Sequence, residues 1–430
     1  MMQASRTAAP RFVPVDIAAV LAFVALSALV LNPIFSSLSA ATFLGFGCLL
    51  IVSNIHHSAY LFARWWYLLL LPTYCLLSTL WSQYPDLTLR YSLQLALTLA
   101  VAIVIAGRVG APTLLRMLFV VYAIGVVLSI AIGHRPMGSA WFGIFGSKNA
   151  FAAHVAVFAL VSVAVLFDRN SPFILRLGGL GGAVISPPLL VLAQSAGAIM
   201  MVVPCIGIIL GVMLTERLTG MQKVFLTVCA LIGAAAFALF LMMNGETLLA
   251  EILDSSGKDP TLTGRTDLWS IGLSFIAERP LQGLGYRAFW VTGFAPAEQL
   301  WAMFKVPSGA GFNFHNTYIS NAVEIGLLGL ALQVFIIYGG AILMAMYALA
   351  RPTAENAFLL GMQALVILRS FIEVEVFFEF SVRSILAVAT FVYAAHGLAM
   401  LMRRAPSSVP RRQPSPPAVD PGPGLAAAGE

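Results

Sequence analysis

Charge is what this sequence has least of. Only 10% of its 430 residues are Asp, Glu, Lys or Arg, against roughly 25% in an average soluble domain. Hydrophobic residues make up 60%. That balance excludes a soluble domain, a disordered chain and a fibre. Cysteine is also scarce. Cys48, Cys75, Cys205 and Cys229 all sit inside apolar runs, and no CxxC spacing occurs. This excludes a disulfide framework and the usual thiolate metal site. The net charge of +6 comes without a basic stripe on a soluble domain, so no nucleic-acid partner is expected. No repeat of 20–50 residues is present.

What the sequence does have is a series of long apolar runs. A bilayer-spanning helix needs roughly 20 mostly apolar residues, and the composition admits about twelve such spans. Runs bounded by turn residues place them near 15–31, 34–53, 65–81, 91–107, 113–132, 150–167, 173–193, 197–214, 222–243, 317–348, 357–372 and 382–402. Arg6 and Arg11 precede the first run, which is too long for a signal peptide and is followed by others. It reads as a retained first helix.

The basic residues orient the bundle. With the N-terminus in the cytoplasm, 14 of the 24 Lys and Arg fall on the cytoplasmic side, among them Arg64, Arg108, Arg169, Arg217 and Arg351. Short loops there hold one or two each, as the positive-inside rule requires. Both termini come out cytoplasmic. The expected organisation is helices 1–9 over residues 1–243, a large outer loop over 244–316, helices 10–12 over 317–402, and a proline-rich tail over 403–430.

The outer loop concentrates the charge. From Asn244 to Phe314 there are 12 charged residues, including Arg265, Asp267, Glu278, Arg279 and Arg287. Within it, Leu268, Trp269, Ile271, Gly272, Phe275 and Ile276 recur at near-helical spacing. This predicts an amphipathic helix over 265–277 that lies on the membrane or caps the bundle, ended by Pro280. Gly283 and Gly285 then permit a tight turn ahead of Phe289–Trp290.

Several short motifs have a familiar pattern. Thr263-Gly264-Arg265-Thr266-Asp267-Leu268-Trp269 is followed by Arg279-Pro280-Leu281 and by Gly283-Leu284-Gly285-Tyr286. Then come His315-Asn316-Thr317-Tyr318 and Glu324-Ile325-Gly326-Leu327-Leu328-Gly329. Weaker matches are Trp81-Ser82 with Leu89-Arg90, Gly143-Ile144-Phe145 with Lys148-Asn149, and Ala193-Gln194-Ser195-Ala196-Gly197. Together, over roughly residues 15–400, the chain resembles the O-antigen ligase/polymerase superfamily. Within it the closest likeness is to exopolysaccharide polymerases of the succinoglycan type.

The resemblance implies an all-α, polytopic membrane protein of about 12 transmembrane helices with one large periplasmic loop, similar in fold to the C-type glycosyltransferases. It implies a bacterial inner-membrane enzyme that works at the periplasmic face. The donor would be an undecaprenyl-diphosphate-linked glycan, and the acceptor a second carrier-linked repeat for a polymerase or the lipid A core for a ligase. The lipid bilayer, a flippase and a chain-length regulator are the further expected partners. Neither a cofactor nor a metal is expected.

The chemistry of such a reaction selects candidate residues. A diphosphate leaving group needs its charge met, by a metal or by arginine. The sequence contains no DxD pair. Arginine binds phosphate oxygens through a planar fork and stays charged. Arg265 and Arg287 in the outer loop are the first candidates. Lys148, Arg90 and Arg135 stand at other predicted outer entrances. Each has a structural alternative: a loop ion pair with Asp267 or Glu278 for the first two, and snorkelling for Lys148.

The acceptor hydroxyl needs a base, and histidine titrates in the right range. His315 lies at the outer entrance of a span, directly after the loop, and the resemblance assigns it the catalytic role. Asn316 is a hydrogen-bonding neighbour or a helix cap. Glu324, about two and a half turns deeper, needs a partner, and an arginine of the site would serve. Arg369–Glu373 and Glu379–Arg383 have i,i+4 spacing, which predicts helical salt bridges; contact with acceptor sugar hydroxyls is the alternative for these residues and Glu375. Trp269, Phe289, Trp290 and Trp301 are candidates for stacking on sugar faces or for interfacial anchoring. A secondary transporter is the main rival reading, since twelve spans is a common transporter count. No two related halves are evident, however, and few charges fall mid-span.

Overall fold

The computed structural model describes residues 16–134, 140–229 and 261–404, with isolated positions between 232 and 243. Every regular element among them is helical. In chain order the main helices are α1 (Ile17–Val30), α2 (Ser37–Val52), α3 (Ile55–Arg64), α4 (Leu70–Leu77), α5 (Pro85–Arg108), α6 (Ala111–Ile132), α7 (Lys148–Phe167), α8 (Phe173–Leu192) and α9 (Ala196–Leu214). After the loop come α10 (Thr261–Glu278), α11 (Ala295–Met303), α12 (Thr317–Ala350), α13 (Ala354–Ser370) and α14 (Val382–Arg404).

Seven of the described helices, α5 to α9, α12 and α14, are long and apolar enough to cross a bilayer. The count reaches eight if α2 and α3, bent by 94° at Ser53–Asn54, are taken as one broken span. This is fewer than the dozen expected. Two of the expected spans are shorter apolar stretches, Ile17–Val30 and Trp66–Leu80. A third coincides with α13, which has 17 residues. Nine of the 22 residues of the expected span 222–243, the loop residues 244–260 and the tail from 405 lie outside the described residues.

α7 is the centre of the bundle. It is buried on every side from Phe151 to Val165, as an all-apolar helix must be in the middle of a helical assembly. Glycines let α8 come close: Gly179 faces the α7 backbone at Ser162 and Leu166, and Gly182 faces Phe158 and Ser162. Small residues at such crossings permit tight backbone approach. α13 and α9 pack on the other side of α7.

The expected span 317–348 is not one helix. Gly326 interrupts it at φ 64°, ψ −175°, a region essentially restricted to glycine. The hydroxyls of Tyr318 and Tyr338 are 2.9 Å apart. Asn321 Nδ2 donates to Gln333 Oε1 at 2.7 Å. In a continuous helix those residues would be separated by about 30 and about 18 Å. Residues 317–325 therefore form a short helix that folds back, antiparallel, along 327–350. The apolar run concealed the break because both halves are apolar.

The predicted amphipathic helix is present as α10. Its Leu268 is buried, and Ile271, Phe275 and Ile276 pack with it against Phe289, Leu300, Trp301, Phe314 and Val323. α10 thus builds a second hydrophobic core with α11 and the folded-back helix, separate from the main bundle core.

Candidate active site

The loop after α10 is pinned by backbone. Leu284 N–H donates to the Val323 carbonyl (3.0 Å), Gly285 N–H to Glu324 (2.8 Å), and Leu327 N–H to Pro280 (2.7 Å). The last of these uses a donor freed by the helix break. A Cβ at Gly283 would meet the Glu324 carbonyl at 2.5 Å, so only glycine fits there. Gly283 and Gly285 both have positive φ, as the turn predicted from sequence demands. The Trp81-Ser82 motif holds the other side. Trp81 Nε1 donates to the Gln282 carbonyl at 3.2 Å, Tyr74 OH to Leu281 at 3.0 Å, and Thr88 Oγ1 to Tyr286 at 3.0 Å. Four motifs distant in sequence thus lock one loop.

That lock positions Arg287 and Glu324. The Arg287 backbone N–H donates to Glu324 Oε2 at 2.9 Å, and Arg287 adopts φ 61°. Its guanidinium pairs with Glu379 Oε1 at 3.1 Å and lies 5.1 Å from the Tyr91 ring centroid. Burial opposes the Arg287 charge, but Glu379 and Glu324 more than offset this and hold it firmly protonated. Glu324 thereby has the arginine neighbour expected for it.

A second group of charges lies on residues 371–381, between α13 and α14. The expected i,i+4 salt bridges do not form, because this segment is not helical. Phe377 and Phe380 have positive φ, and irregular backbone survives in such a setting only when buried in protein or lining a cavity. The partners are redistributed over long range. Glu375, 2% exposed, takes Arg369 at 2.8 Å and Arg383 at 2.8 Å. Glu379 goes to Arg287, and Glu373 goes to His315 and Arg265.

The Glu373 cluster joins the two leading candidates from the sequence. Glu373 Oε2 lies 3.2 Å from His315 Nδ1. Its other oxygen lies 3.5 Å from Arg265, whose guanidinium also donates to the Ile372 carbonyl at 3.3 Å. A carboxylate only accepts, so the His315 Nδ1 carries a proton, and in the neutral ring Nε2 is the free base. Burial alone would raise the Glu373 carboxyl. The hydrogen bond from His315 and the charges of His315, Arg265 and Arg369 bring it below the ordinary carboxylate range. His315 itself is held at φ 48°, with its N–H donated to Asn313 Oδ1 at 2.7 Å. From sequence, Glu373 reads first as a helical ion-pair partner of Arg369; its meeting with His315 and Arg265 is not foreseen. Its spacing to Arg369 matched a helix, and only the fold shows that the chain turns instead.

A cavity of about 570 Å³ opens beside these groups. Arg287 and Glu324 line it, with Tyr91, Trp290, Thr292, Asn313, Ser320 and Asn321 among the other walls. Phe312 and Asn313 connect the cavity to His315, the Phe312 ring lying 5.7 Å from the imidazole.

The remaining candidates divide. Asn316 is the N-cap of α12: its Oδ1 accepts from Tyr318 and Ile319, and its Nδ2 donates to the Phe371 carbonyl at 3.1 Å. Its polar atoms are engaged within the protein, so it orients the His315 turn. Arg90 is exposed and lies 5.6 Å from the Tyr91 ring centroid, close to the cavity wall. Lys148 is exposed at the start of α7 and lines neither the cavity nor an ion pair among the described residues. Arg135 lies outside the described residues. Of the aromatic candidates, Phe289 and Trp301 are core, and Trp269 donates to the Phe314 carbonyl at 2.8 Å. Trp290 alone of the four lines the cavity.

Comparison with known proteins agrees with these features. Residues 181–334 match the family described as O-Antigen ligase, a segment that includes α10, the pinned loop, His315 and the helix break. The Exopolysaccharide production protein ExoQ of Rhizobium meliloti (strain 1021) is 32% identical over 321 residues, covering 72% of this chain and 72% of that protein. The chain is a membrane protein that belongs to the O-antigen ligase family.

Proposed function

We propose that the protein polymerises undecaprenyl-diphosphate-linked oligosaccharide repeats at the periplasmic face of the bacterial inner membrane, by metal-independent, inverting glycosyl transfer. The observation that carries this reading is the His315–Glu373–Arg265 cluster beside a polar cavity. The ExoQ relative's name points to exopolysaccharide in particular. In this account the bundle traverses the membrane about twelve times, the shorter apolar helices included. Residues 244–316 form the periplasmic loop, and both termini are cytoplasmic.

The acceptor hydroxyl lies against His315 Nε2, which takes its proton as the oxygen attacks the anomeric carbon. The bond from that carbon to the diphosphate oxygen breaks, and its electron pair leaves with the diphosphate. The configuration inverts. Glu373 acts as a positioning residue, fixing the tautomer and meeting the imidazolium charge that develops. Arg265 meets the leaving diphosphate, with Lys148, Arg90 and Arg135 as further contacts along its approach. Arg287 and Glu324 touch the glycan in the cavity, and Asn316 positions His315.

Depth supports the assignment. Ile372, beside Arg265, packs near Gly197 at the outer end of α9. In this orientation the cluster stands toward the outer boundary of the bilayer, where the diphosphate of a membrane-anchored carrier would reside.

The ligase reading is kept as the second, because the matched family is described by that activity. His315→Ala and Arg265→Ala should abolish polymer formation while both variants insert in the membrane at normal levels. Wild-type polymer from either would remove the assignment.

A further inference from the structure

We propose that the cavity is a subsite for an uncharged sugar of the acceptor, and that Glu379 and Glu324 keep acidic sugars out of it. This rests on the glycosyl-transfer reading above and adds which sugar the cavity takes.

The argument is the way the site divides its charge. Around His315, three arginines (Arg265, Arg369 and Arg383) share two carboxylates, Glu373 and Glu375. Around the cavity, the guanidinium of Arg287 is paired with Glu379, and a second carboxyl group, Glu324, accepts from the Arg287 backbone N–H. Among the described residues, Arg287 and Glu324 are the only charged ones that line it. The positive surplus thus stands at the His315 end, where a diphosphate would be met. The cavity has none to offer. A uronic acid entering it would find Arg287 already matched at 3.1 Å by Glu379 and a further carboxylate, Glu324, on the wall. The Glu379 carboxylate, and Glu324 whenever it is ionised, repel an incoming carboxylate, most strongly where water is excluded.

What the wall offers suits hydroxyl groups. Ser320 Oγ is buried with no partner in the protein. Asn321 gives one N–H to Gln333, and Asn313 gives its oxygen to the His315 N–H. Each is left with amide groups of the opposite polarity to offer. Thr292 adds a hydroxyl, and Tyr91 and Trp290 add flat apolar faces. A volume of about 570 Å³ lies within the range of small-molecule pockets. Neutral hydrogen-bonding groups with aromatic faces and no free cation describe a site for a neutral sugar.

The test uses the full chain in lipid nanodiscs and two disaccharides that differ only at one C6, cellobiose and cellobiouronic acid. Binding is read by saturation-transfer NMR at low salt. The expected result is that cellobiose binds at least tenfold more tightly. The ratio should fall to threefold or less in Glu379→Gln. If that variant does not fold, raising the salt on the wild type should narrow the ratio in the same direction. Equal or tighter binding of the acidic disaccharide, binding of neither, or a ratio unmoved by both the variant and salt overturns the proposal. Chain growth in a His315→Ala strain separates the two levels. Growth lost there, with the disaccharides bound equally, removes the sugar proposal and leaves the transfer reading. Growth retained there removes the transfer reading.

Discussion

Gly326→Ala probes the joint on which the site is built. At φ 64°, ψ −175° a non-glycine residue costs about 1–3 kcal/mol from backbone strain alone. The new Cβ would also press on the Leu281 carbonyl and stand 2.6 Å from Gln282 N. Neither neighbour can swing aside, because both are backbone, and the carbonyls of Leu281 and Gln282 are held by Tyr74 and Trp81. Relief must come from parting the loop from the helix break. That would sacrifice one or more of the bonds from Leu327 to Pro280, Gly285 to Glu324 and Leu284 to Val323, at about 1 kcal/mol each. The expected total is about 2–5 kcal/mol. Arg287 would lose its bond to Glu324 with the same movement. Thermal unfolding of purified protein in detergent measures the first effect, and polymer output in cells measures the second. Gly211→Ala in α9 is the control, since nothing lies within 4 Å of the Cβ it would add. A Gly326→Ala protein with wild-type melting temperature and polymer output would refute the reasoning.

Two further variants test the charge network. Glu373→Gln should reduce chain growth by about 10²–10⁴-fold, the usual worth of a positioned general base, while the protein stays folded. The Glu373 carboxyl is depressed in the folded state. Its contribution to stability is therefore present above the unfolded carboxylate value and lost as pH falls through the folded one. Melting temperature of the wild type should drop below about pH 4.3, and Glu373→Gln should flatten that part of the drop when the two profiles are compared. Glu375→Gln leaves Arg369 and Arg383 sharing no carboxylate in a buried site. It should destabilise by about 3–5 kcal/mol, read as a lowered denaturation midpoint.

Much of this was legible in the sequence where the signal is local. The 3.6-residue spacing of Leu268, Ile271 and Phe275 gave α10, and Gly283 with Gly285 gave the turn. His315 and Arg265, 50 residues apart, were named from motifs, and the fold brings them to one carboxylate. The misses have a common cause. The reversal at Gly326 lies within an unbroken apolar run, and hydropathy does not distinguish a helix that continues from one that folds back. Arg369–Glu373 and Glu379–Arg383 carry helical spacing on a segment whose conformation is set by Thr317, Thr98 and Ser384, residues that bond to it from elsewhere. Phe289 and Trp301 were read as interfacial because aromatic residues in a loop look exposed, yet they are the second core. Local pattern singled out the candidate groups, and long-range pairing decided their partners.

The central claim is that this chain joins carrier-linked repeats to one another. The most direct measurement is the lipid-linked glycan that accumulates in a strain lacking the protein. The account predicts single repeats stalled on undecaprenyl diphosphate, with chain growth restored by the wild-type gene and not by His315→Ala. Long chains retained on the carrier and missing from lipid A would contradict it and assign the protein to ligation.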